Sequence, residues 1–101
     1  MELKERVECF VKLGFFLSQL DKSCPDFLLD KLESLKNKIK EAEIKNNWFT
    51  EQNILNSLKS LSEQLSVDNL DAWITPYNLS EITDKKKVLV IMAGNIPLVG
   101  F

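Results

Sequence analysis

Apolar residues at alternating spacings of four and three constrain this chain more than any other feature. Leu3, Val7, Phe10, Gly14 and Leu17 form one such series, and Val11, Leu13 and Leu20 widen it into a face. Leu28, Leu32, Leu35, Ile39 and Ala42 repeat it, and Ile54, Leu58, Leu61 and Leu65 form a third. That period places each set along one side of an α-helix, so the first 74 residues read as amphipathic helices packed face to face.

The boundaries are also written in residue type. Asp21-Lys22-Ser23-Cys24-Pro25 interrupts the pattern, and proline suits a first helical position because its missing N–H has no partner there anyway. Asn46-Asn47 ends the second helix. Thr50 is placed to cap the third, with Phe49 and Ile54 at the positions of a hydrophobic staple. Ser66 can cap a fourth, short helix through Trp73, and Pro76 stops it because the residue before proline resists helical geometry. Short connections between four such helices predict a bundle-like region over residues 1–84.

At Lys85-Lys86-Lys87 the period disappears. Val88-Leu89-Val90-Ile91-Met92 is an unbroken apolar run with β-branched residues at three positions, the pattern of a strand buried on both faces of a parallel sheet. Ala93-Gly94-Asn95 follows as a turn, and Ile96-Pro97-Leu98 as a helix start. Residues 85–101 therefore read as the first strand and helix start of an α/β nucleotide-binding domain. The fold class expected is mainly α, a helical region followed by this βα step. A lone parallel strand lacks partners, so the chain is expected to be the N-terminal piece of a longer protein. The alternative is that the strand pairs between two copies, giving a homo-oligomer through an exposed apolar edge.

Composition excludes several classes of function. The 13 basic and 15 acidic residues leave a net charge of −2, which provides no general field for nucleic acid. There is no histidine, hence no imidazole base or ligand. Cys9 and Cys24 lack CxxC spacing, so no metal site is expected and both read as structural thiols of a cytoplasmic protein, Cys9 as a buried small hydrophobe. The longest uncharged stretch, Val88 to Phe101, falls short of the roughly 20 residues of a membrane helix. Lys31, Lys36, Lys38, Lys40 and Lys45 are interleaved with Glu33, Glu41 and Glu43 and read as a solvated face. Trp48, Phe49, Trp73 and Tyr77 stand in an acidic region, where packing between helices is the expected role rather than stacking on bases.

One segment has the placement of a site. A turn at the carboxyl end of a parallel strand is where α/β folds bind ligands, and the Asn95 side chain is a neutral donor suited to an oxyanion. From spacing alone, the favoured reading is structural: Gly94 permits a tight turn and Asn95 caps a helix.

Lys86 through Phe101, with Met92-Ala93-Gly94-Asn95-Ile96-Pro97-Leu98 at its centre, resembles the strand and loop of the bacterial acyl-CoA reductase family, the fatty acid reductase type known from bioluminescence. Asn47-Trp48-Phe49-Thr50, Trp73 and Pro76-Tyr77-Asn78-Leu79 also look like that family's N-terminal region. The likeness extends thinly over most of the chain and is specific in residues 86–101. The family is similar in fold and chemistry to aldehyde dehydrogenases. The resemblance implies reduction of a fatty acyl-CoA to an aldehyde by NADPH, through a thioester on a cysteine that lies beyond Phe101. Cys9 and Cys24 do not match that position. Aldehyde dehydrogenases carry a Pro-Trp-Asn-aromatic-Pro loop whose Asn holds the substrate oxyanion, and here Asn95 and Pro97 match it. Gly94 and Ile96 replace the two aromatic positions, so the resemblance supports an oxyanion role for Asn95 more strongly than cofactor contacts at Ala93 and Gly94. It also implies that the chain by itself is inactive and binds no cofactor. The other reading is a non-enzymatic helical interaction module whose apolar C-terminus docks on a partner.

Overall fold

The computed structural model describes residues 2–22, 25–77, 79, 87–89 and 91. Among them are four α-helices: α1 (Leu3–Ser18), α2 (Leu29–Lys45), α3 (Glu51–Gln64) and α4 (Val67–Ile74). A 3-10 turn, Asp26–Leu28, leads into α2. The described part is thus mainly α, with helix boundaries close to those expected from the periodicity and caps.

Three ends show why the helices begin and stop where they do. Thr50 Oγ1 accepts a hydrogen bond from the Asn53 N–H at 3.2 Å, and Ser66 Oγ accepts one from the Asn69 N–H at 3.3 Å. Each satisfies one amide that the first helical turn would otherwise leave unpartnered. At the end of α2, Asn46 is extended (φ −152°) and its Oδ1 accepts from the Trp48 N–H at 3.1 Å, which turns the chain toward α3. The Glu43 carboxylate of α2 accepts from the Glu51 N–H at 3.1 Å, adding negative charge at the positive end of α3. Pro25 differs slightly from expectation. It flanks the 3-10 turn instead of opening α2, and its carbonyl accepts from the Leu28 N–H at 2.9 Å.

α3 is the hub, touching α1, α2 and α4. The main core cluster joins Leu17 and Leu20 from α1 and its exit with Leu32 and Ile39 from α2. Ile54, Leu55, Leu58 and Leu61 of α3 pack against that cluster and are themselves half-buried. Leu32 is the most enclosed apolar side chain at 2% exposure, and burying such a leucine contributes about 1.5–3 kcal/mol.

Gly14 explains how close α1 comes to α3. A Cβ added there would stand 2.8 Å from Leu65 Cβ and 2.9 Å from the Leu65 carbonyl oxygen. The glycine in the middle of the α1 stripe is therefore the point where α1 crosses the C-terminal end of α3.

Burial along α1 is uneven. Gly14 and Leu17 are buried, whereas Leu3 and Phe10 on the same stripe are 44% and 41% exposed. Gly14 meets α3 at its very end, Leu65, so the part of α1 before Gly14 extends past α3.

Cys9 corrects an expectation. It is exposed and its thiol is free, because it lies off the Val7–Phe10–Gly14 line and faces water. The aromatic residues correct another. Trp48, Trp73 and Tyr77 are 85%, 64% and 60% exposed, and only Phe49 is partly covered. Trp48 sits in the tight α2–α3 turn, where none of the described helices covers it.

The described residues contain no strand. Lys87, Val88, Leu89 and Ile91 carry no regular secondary structure, and the three apolar ones are 80–89% exposed. Val90 and Met92 lie outside the described residues, so the run expected as a strand is described only in part. A parallel strand needs neighbours on both edges and cover on both faces.

Candidate functional site

Two places come into question, one taken from the sequence and one found in the fold. The first comprises Ala93, Gly94 and Asn95, with Ile96 and Pro97 completing the motif. All five lie outside the described residues. The described residues nearest to them in sequence, Val88, Leu89 and Ile91, present apolar side chains to water.

The second place arises from the way α4 leaves α3. The Ser66 cap and a hydrogen bond from Asn69 Nδ2 to the Glu63 carbonyl at 2.8 Å fix the turn between the two helices. With Gly14 pressed against Leu65, the N-terminal half of α1 continues past the end of α3. The three helices diverge there and leave a groove of about 480 Å³. Phe10 and Leu13 line it from α1, Leu61 and Leu65 from α3 and its end, and Leu70 and Trp73 from α4. Gln64 and Asn69 are the polar residues of its lining, and both are uncharged.

This lining defines what the groove can do. It has the size of a small-molecule pocket and can take an apolar group. Among the described residues its lining has no acid, base, thiol or cation, so these side chains offer no group that exchanges a proton and no charge to pair with a phosphate. Its residues are legible on helical stripes in the sequence, but as core positions. No local signal separates them, because the apolar stripe of α1 reads as continuous and only the contact of Gly14 with Leu65 sets where α3 stops covering it.

The lysine face of α2 is as expected. Lys31, Lys36, Lys38, Lys40 and Lys45 are exposed, and Lys45 lies 3.9 Å from Glu41 one turn away. An exposed pair of this kind contributes little. Among the described residues there is no group of three His, Cys, Asp or Glu side chains able to hold a metal, and no helix long and apolar enough to cross a membrane.

Comparison of the chain with family models, with curated proteins and with solved structures finds no match in any of the three.

Proposed function

We propose that this chain is the N-terminal part of a cytoplasmic, NADPH-dependent reductase that converts a fatty acyl-CoA thioester to an aldehyde. The observation that carries the reading is the segment Lys86–Phe101, in which an apolar strand-like run ends in Ala93-Gly94-Asn95-Ile96-Pro97. In this reading the Asn95 side-chain amide donates a hydrogen bond to the thioester oxygen as it becomes an oxyanion, first when a cysteine thiolate displaces CoA. The same donor serves again when the acyl-enzyme is reduced and the thiolate leaves. The nucleophilic cysteine belongs to a later part of the protein than Phe101. When bound, NADPH supplies the hydride. Ala93 and Gly94 would contact the cofactor through the loop backbone, whereas the uncharged lining of the α1–α3–α4 groove does not fit its phosphates.

Phe27, Ile44, Trp48 and Trp73 are each more than 60% exposed. Alone, the chain is expected to be inactive.

The test uses the complete coding frame. The purified product should consume NADPH only in the presence of fatty acyl-CoA and release CoA and aldehyde. Asn95→Ala should then lower turnover by about 10²–10³. Turnover near that of the unaltered protein would remove Asn95 from the mechanism, and absence of any acyl-CoA-dependent oxidation would remove the reductase reading itself.

The exposure of Val88, Leu89 and Ile91 favours the second reading, a helical interaction module that docks through its apolar C-terminus. A reading frame that stops after Phe101, with a stable protein recovered from cells, decides for the module.

A further inference from the structure

We draw no further inference here: the strongest candidate, the uncharged apolar groove between α1, α3 and α4 lined by Phe10, Leu65, Leu70 and Trp73, carries nothing because nothing in the structure shows what covers it.

Discussion

Gly14→Ala places two opposing effects on one residue. In an exposed helix interior this substitution stabilises by about 1 kcal/mol, because alanine loses less backbone freedom on folding. In the fold, the new methyl would stand 2.8 Å from Leu65 Cβ, 2.9 Å from its carbonyl oxygen and 3.2 Å from its carbonyl carbon. Ordinary contact for such atoms begins near 3.5 Å, so α1 or the end of α3 must withdraw by roughly 0.6 Å or more. The obstructing atoms are backbone and Cβ, which cannot rotate aside, and trimming Leu65 to alanine leaves all of them in place. Overpacking of this kind costs about 1–3 kcal/mol. The net expectation is a loss of about 1 kcal/mol, which lowers Tm by about 4–8 °C in a domain of this size. Urea and thermal unfolding followed by circular dichroism measure it, with Lys12→Ala on the exposed side of α1 as the control. A Gly14→Ala protein that melts several degrees higher than the unaltered chain would show that helix propensity acts unopposed. The close crossing of α1 over the end of α3 would then be refuted.

Other consequences can be checked with the same unfolding measurements. Leu32→Ala removes the most enclosed apolar side chain and should cost about 2–5 kcal/mol, whereas Ile44→Ala, at a side chain 83% exposed, should change stability by no more than about 0.5 kcal/mol. Thr50→Ala and Ser66→Ala should each cost about 1 kcal/mol through loss of a cap, and Thr50→Ser should restore most of the first. Sedimentation of the 101-residue chain should show association that rises with concentration, because Val88, Leu89 and Ile91 lie in water; Leu89→Asp should return it to a monomer. A monomer at every concentration would count against self-association through that segment.

Helices were legible wherever local chemistry governs them. Thr50 and Ser66 cap α3 and α4 through short side-chain contacts to amides three residues ahead, and Asn46 ends α2 by leaving helical geometry. Such interactions depend on neighbours in sequence and survive without tertiary context. The stripe Leu28, Leu32, Leu35, Ile39 and Ala42 also faces inward as its spacing demands. Position on a stripe, however, did not tell how deeply a residue is covered. Phe10 and Leu17 occupy equivalent places on α1, yet one is 41% exposed and the other 5%. Cover depends on where α3 ends along α1, which is at Gly14. The same holds for Trp48 and Cys9, whose residue types suggest burial and which are both exposed.

By itself, then, the sequence determined the four described helices, most of their ends and their inward faces, because period and caps act over three or four residues. The proposed chemistry at Asn95 and Pro97 likewise rests on residue identity alone. Only the tertiary structure decided that Gly14 is a crossing point and that α3 is the hub. It alone showed that an uncharged groove remains where α1 outruns its partners. Those properties depend on distances between segments about 50 residues apart in the chain, such as Gly14 and Leu65, and local spacing carries no measure of such distances.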